Sequence, residues 1–177
     1  MGCFMKSADE IGKDASTATD HLKVIVESEK GSRNKYKFDE ATGGFKLSKI
    51  MPEGMTFPFD FGFFPDTKSQ DGDPLDVLIL NDEPTFPGCR IDCRLIGVIQ
   101  AMQTEHGEKK RNDRLIAVAS ASILFENLTE ISQLQPSLLK QLQEFFVNYQ
   151  KARDIPFEII SVEGPHAARR RLQDASL

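Results

Sequence analysis

Asp71-Gly72-Asp73-Pro74-Leu75-Asp76 runs straight into Val77-Leu78-Ile79-Leu80. Three carboxylates fall within six residues, and Gly72 and Pro74 bend the backbone between them. Left unpaired, charges this close repel one another by amounts that a marginally stable fold cannot ignore. The four apolar residues that follow read as a short buried strand, so the acids are expected at its mouth, partly shielded from water. A hard divalent cation answers the repulsion, because Mg²⁺ and Ca²⁺ take carboxylate oxygens. An EF-hand loop is excluded: its glycine position holds Asp76, its fifth position Leu75 and its twelfth Asp82. A solvated acidic turn is the competing reading, but a mere turn needs no third acid at the start of a strand.

The 177 residues suffice for one domain with an adequate core. The expected layout is a loose polar tail over 1–20 and one domain over 21–177. Hydrophobic residues at 40% and charged ones at 28% are ordinary for a globular chain. A net charge of −5 argues against nucleic acid as a partner, and Arg169-Arg170-Arg171 reads as a solvated helix face. No apolar run reaches membrane-spanning length, so no membrane partner is expected. Met1-Gly2-Cys3-Phe4-Met5 has no signal-peptide core, and Lys6 stands where myristoylation wants Ser or Thr. Cys89 and Cys93 lie too far apart along an extended segment to bridge, and no Cys or His pair completes a zinc spacing. With Cys3 they read as free thiols, and the expected location is cytoplasmic.

Strands are expected over 22–27, along 30–37, over 44–50 after a turn at 40–44, and at 77–80. A further long strand over 91–100 pairs with 114–119 across a polar hairpin from Gln103 to Asp113. Phe57, Phe59, Phe61 and Phe63 recur at every second position, an aromatic wall on one face of an extended segment. Lys35 and Lys37 share a face, which suits an anionic ligand or simply guards a sheet edge. A short helical piece is expected at 128–134 and a long helix from Pro136. There Leu138, Leu142, Phe145 and Tyr149 repeat at helical spacing, with Leu139 and Phe146 beside them. Tyr149 ends that stripe with a polar tip. A last strand over 157–163 stops at Gly164-Pro165, before a basic terminal helix.

The acidic motif and the strand after it resemble the signature of the family I soluble inorganic pyrophosphatases. The resemblance runs from about Leu22 to Gly164. It includes Lys30-Gly31-Ser32-Arg33-Asn34-Lys35-Tyr36, the Phe-rich stretch to Pro65, Pro87-Gly88, Arg114-Leu115-Ile116-Ala117-Val118, and Phe145-Phe146 with Tyr149. It implies an α+β, mainly β fold: an OB-like twisted five-stranded barrel with flanking C-terminal helices. It also implies Mg²⁺-dependent hydrolysis of pyrophosphate, and a homo-oligomer, because bacterial members are commonly hexamers. The helix before Tyr149 carries Glu144 and Asn148 and no histidine, so no interface chemistry carries over.

Carried over residue by residue, the resemblance makes Asp71 and Asp76 metal ligands and Asp73 both a ligand and the general base. Lys35, Lys49, Arg114 and Tyr149 grip phosphate oxygens, and Glu27 matches an active-site acid. Several positions depart. Lys37 stands where a carboxylate is usual and is expected to serve the substrate instead. Lys49 replaces an Arg and loses its bidentate fork. Arg114 replaces a Lys, Phe61 lacks a tyrosine hydroxyl, and Gln150 lacks a cation. Gln103 and Asn112 stand where metal acids are expected, leaving Glu105 and Asp113 as the nearest carboxylates, so Asn112, Glu105 and Asp113 join the candidate metal set. These departures keep two alternatives open: a hydrolase of another phosphoanhydride or phosphate ester, and a non-catalytic binder of Mg²⁺ and phosphate.

Overall fold

Val77-Leu78-Ile79-Leu80 is apolar without alternation because its strand is covered on both faces. The computed structural model describes residues 22–39 and 41–177; the tail expected over 1–20, and Cys3 within it, lie outside the described residues. The strands in order are β1 (Leu22–Ser28), β2 (Asn34–Asp39), β3 (Gly44–Ile50), β4 (Asp60–Phe63) and β5 (Asp76–Leu80). They continue with β6 (Arg90–Glu105), β7 (Glu108–Arg111), β8 (Arg114–Ala119) and, after helix α1 (Pro136–Lys151), β9 (Phe157–Glu163); helix α2 (Pro165–Ala175) follows.

Hydrogen bonding runs β1-β4-β5-β8-β6, and β6 returns to β1, so five strands close a barrel. This is the OB-like, mainly β architecture expected from the sequence. Sixteen residues long, β6 pairs in turn with β1, β8, β9 and β7. The β2–β3 hairpin forms a separate two-stranded sheet.

Alternate residues of β5 and β8 serve two packed layers. Val77, Ile79, Leu115 and Ala117 pack in a cluster with Ala167 and Ala168 of α2. Leu78, Leu80, Ile116 and Val118 pack with Leu142, Phe146 and Tyr149 of α1, the stripe expected from the helical spacing. Phe57, Phe59 and Phe61 join that second cluster, whereas Phe63 stacks on Phe38 at 6.0 Å. Cys89 and Cys93 are free, and burial pushes the Cys93 thiol up to about 12. Among the described residues no helix is long and apolar enough to cross a membrane.

Three boundaries differ from expectation. The strand expected over 91–100 runs on to Glu105, because polar side chains do not stop a strand that finds a ladder partner, here β7. The helical piece at 128–134 shrinks to a 3₁₀ turn at Ile131–Gln133. Arg94 takes part in this: its guanidinium holds the carbonyls of Phe125 and Glu126 just before the segment and that of Leu128, the first acceptor that a helix there would use. The extended run from Lys30 begins only at Asn34, after a turn closed by the Ser32 N–H on the Glu29 carbonyl.

Candidate active site

A cleft of about 190 Å³ opens where the β2–β3 hairpin, the acidic loop, the β6 and β8 strands and the end of α1 converge. The loop is built by local rules. Gly72 takes φ 91°, open to glycine and strained for other residues. The Asp71 carboxylate accepts the Asp73 N–H at 3.2 Å, and the Asp73 carbonyl accepts the Ser69 N–H at 2.7 Å. Asp71 is partly buried. That burial, with the negative fields of Asp76 and Asp73, holds its carboxyl above the usual aspartate range.

The other two acids of the motif already have cationic partners. Lys37 Nζ meets Asp73 Oδ1 at 2.6 Å. Partial burial works against the Lys37 charge, but the Asp73 hydrogen bond and the fields of Asp73, Glu27 and Asp76 outweigh it and raise its pKa. Asp76 opens β5, and the parallel register with β8 sets it beside Arg114, whose Nη1 lies 2.6 Å from Asp76 Oδ2. Arg114 lines the cleft, but its buried guanidinium is committed to Asp76 and Asn112.

Glu27 enters the cleft because β1 slips by one residue there: Val26 pairs with Gly62 and Ser28 with Phe61. Such a bulge re-aims a side chain that strict alternation would turn away. Its Oε1 accepts the Phe38 N–H at 3.0 Å. Burial raises the Glu27 pKa from 4.5 to about 7. The folded protein therefore keeps a proton that the unfolded chain gives up, and the stability from Glu27 is full below about pH 4.5 and lost as pH rises through 7. The loss amounts to about 3 kcal/mol. Urea unfolding of metal-free protein between about pH 5 and about pH 8 checks this. The wild type should lose stability relative to Glu27→Gln across that window, and parallel pH profiles would refute the assignment.

Lys35 and Lys49 sit directly opposite each other across the hairpin, an arrangement that costs stability unless an anion lies between them. Among the described residues neither forms an ion pair. Lys35 Nζ instead rests over the rings of Phe61 at 4.9 Å and Tyr149 at 5.6 Å. Burial, then the positive fields of Arg153 and Lys35, lower the Lys49 pKa. The Tyr149 hydroxyl is buried and has no hydrogen-bond partner among the described residues. Arg153, which sequence reasoning missed, also lines the cleft; it lies in the turn after α1, four residues past Tyr149.

The floor is made of amides. Gln103 Oε1 accepts from Asn112 Nδ2 at 2.5 Å and from Gln150 Nε2 at 3.3 Å, while Asn112 Oδ1 accepts from Arg114. Asn112 is thus a link in a neutral network, not a member of a carboxylate set. Asp113 does not line the cleft. Its neighbours Asn112 and Arg114 do, and alternation turns Asp113 the other way. There its Oδ2 meets Arg111 Nε at 2.7 Å and Arg171 Nε at 2.5 Å, and its Oδ1 accepts the Ala101 N–H at 3.1 Å. Both oxygens are spoken for, which corrects the expectation that Asp113 holds metal. Glu105 reaches the cleft but faces Arg153 at 3.8 Å.

Among the described residues no three His, Cys, Asp or Glu converge tightly enough to cage a metal ion, because Lys37 and Arg114 hold Asp73 and Asp76. The donor set still fits Mg²⁺. That ion keeps several waters and needs one or two carboxylates plus substrate phosphates, not a cage made wholly of protein. Asp71, pressed toward protonation by burial and by Asp76 and Asp73, has the most to gain from a cation.

The model of the inorganic pyrophosphatase family matches residues 24–176. An inorganic pyrophosphatase of Methanosarcina acetivorans is 37% identical over 152 residues, covering 86% of this chain and 88% of that protein. One of Geobacillus stearothermophilus is 35% identical over 153 residues, covering 86% and 90%. The crystal structure of the Thermus thermophilus inorganic pyrophosphatase superposes with a TM-score of 0.80 at 26% identity, over 90% of this chain and 91% of that one. With its closed barrel, its acidic loop and a family match over nearly all the described residues, the chain belongs to the inorganic pyrophosphatase family.

Proposed function

We propose that the protein hydrolyses inorganic pyrophosphate to two orthophosphates with Mg²⁺ as cofactor, in a reducing cytosol. The observation that carries this reading is the division of one small cleft into two banks: carboxylates at Asp71, Asp73 and Asp76, and the ammonium groups of Lys35 and Lys49, which form no ion pair among the described residues. Charged side chains of both signs line the cleft and few apolar ones do, which suits a small inorganic polyanion.

Asp71 and Asp76, with Asp73 beside them, would hold Mg²⁺. Bound there, the ion masks phosphate charge and makes water a better nucleophile at neutral pH. Lys35, Lys49 and the Tyr149 hydroxyl take phosphate oxygens and absorb the leaving group's charge. Asp73 orients a water and accepts its proton as the new oxygen–phosphorus bond forms. The bridging P–O bond breaks in the same displacement, and no covalent enzyme intermediate is required.

One observation favours a second reading, a Mg²⁺ and phosphate binder without turnover: Lys37 sits 2.6 Å from the carboxylate that would act as base. Orthophosphate release separates the two. Pyrophosphate, a nucleoside triphosphate and a small phosphate ester are each supplied with and without Mg²⁺. Release from pyrophosphate with Mg²⁺ alone is the expected result. Preference for an ester or a nucleotide would overturn the substrate assignment, and Mg²⁺-dependent phosphate binding without release would establish the binder.

A further inference from the structure

We infer that Arg153 is a phosphate-gripping residue of this cleft, held ready by Glu105 until the anion arrives. The inference rests on the pyrophosphate reading for its substrate, and on geometry for the rest. Arg153 is fixed on three sides: its Nη1 donates to Gln150 Oε1 at 2.8 Å, its guanidinium lies 5.5 Å from the centroid of the Tyr149 ring, and its Nη2 is 3.8 Å from Glu105. Gln150 is itself buried and tied to Gln103, so the tether is stiff.

A guanidinium has five N–H donors, and Gln150 takes one. The Glu105 contact lies near the outer limit of an ion pair and both side chains are partly exposed, so it is a loose partner that a better anion displaces. Arg153 also stands in the field of Lys49, whose pKa it helps to lower, and over the ring that carries the unpartnered Tyr149 hydroxyl. A structural role as a mere counter-ion for Glu105 explains neither placement. Two opposed lysines, an arginine fork and a hydroxyl donor on one wall make an anion site, with Arg153 supplying the bidentate geometry that Lys49 lacks.

The amide floor adds a consequence. Hydrogen bonds link Arg153, Gln150, Gln103, Asn112 and Arg114 in a chain, and the Arg114–Asp76 ion pair extends it from the cation bank to the carboxylate bank. Arg153 and Asp76 are thus joined through four intervening side chains.

Titration calorimetry of the full chain with inorganic phosphate at fixed Mg²⁺ tests the inference. Arg153→Gln should weaken phosphate binding by about 10- to 100-fold, as loss of a charge-assisted contact does. It should raise KM for pyrophosphate more than it lowers kcat. Arg153→Lys should recover part of the affinity, keeping the charge without the fork. Glu105→Gln should tighten phosphate binding, because the competing carboxylate is gone. Unchanged phosphate affinity in Arg153→Gln, weaker binding in Glu105→Gln, or no phosphate binding by the wild type would each overturn the inference. Phosphate affinity is read without turnover. A wild type that binds phosphate but releases none from pyrophosphate would therefore count against the proposed activity and not against Arg153.

Discussion

Asp73→Asn should remove nearly all pyrophosphate turnover, about 10²–10⁴-fold in kcat, while the protein stays folded. Asparagine keeps the shape of the side chain and its place in the acidic loop, but it cannot take a proton from water. The fold loses little, because Asp73 is exposed and its ion pair with Lys37 is solvated on both sides, the kind of contact worth about 0–1 kcal/mol. Initial rates at saturating Mg²⁺, with circular dichroism melting as the control for folding, decide the matter. Near wild-type turnover in a normally melting variant would mean that Asp73 is not the base.

Gly62→Ala should have the largest effect on stability. A β-carbon at Gly62 would collide with the Ile25 carbonyl oxygen and lie 3.0 Å from the Val26 Cα, both backbone atoms that cannot rotate aside. Relief requires β1 to move off β4, which opens one seam of the barrel and disturbs the slip that aims Glu27 into the cleft. Overpacking of this kind costs about 3 kcal/mol or more, so a fall in Tm of roughly 10 °C is expected for a chain of this size. Gly44→Ala, where the nearest such contact is 3.8 Å, is the control and should melt close to wild type. Equal melting of the two variants would show that β1 and β4 have slack.

The parts of the fold that announce themselves locally were legible in the sequence. Pro136 starts α1 as a first-turn proline should, and the Leu138–Leu142–Phe145–Tyr149 spacing gives the buried face. The unbroken apolar run after Asp76 gives a strand covered on both sides. Closure of the barrel was not legible from these residues, because pairing between β1 and β6 joins segments some seventy residues apart with no local signal. In the candidate site, Asp71, Asp73, Asp76, Lys35, Lys49 and Tyr149 are brought to one cleft. Asp113 was misplaced for want of a parity argument: if Arg114 faces the cleft, the residue before it does not. Arg153 escaped for a different reason. It sits four residues past Tyr149, on the stripe's own spacing, but beyond the helix end, where a charged side chain does not continue an apolar stripe.

Strand β6 carries Cys93, which pairs with β1 and β8 at the barrel seam, and Gln103, which anchors the amide floor of the cleft. The strand bends at register shifts near Leu95–Gly97 and Gln100–Ala101 but is never broken, so seam and cleft share one continuous backbone. Their free energies are then coupled. An anion that binds only the folded cleft then stabilises the seam as well, by mass action. A substitution at the seam, distant from every reacting atom, would in this protein be felt as a change in substrate affinity.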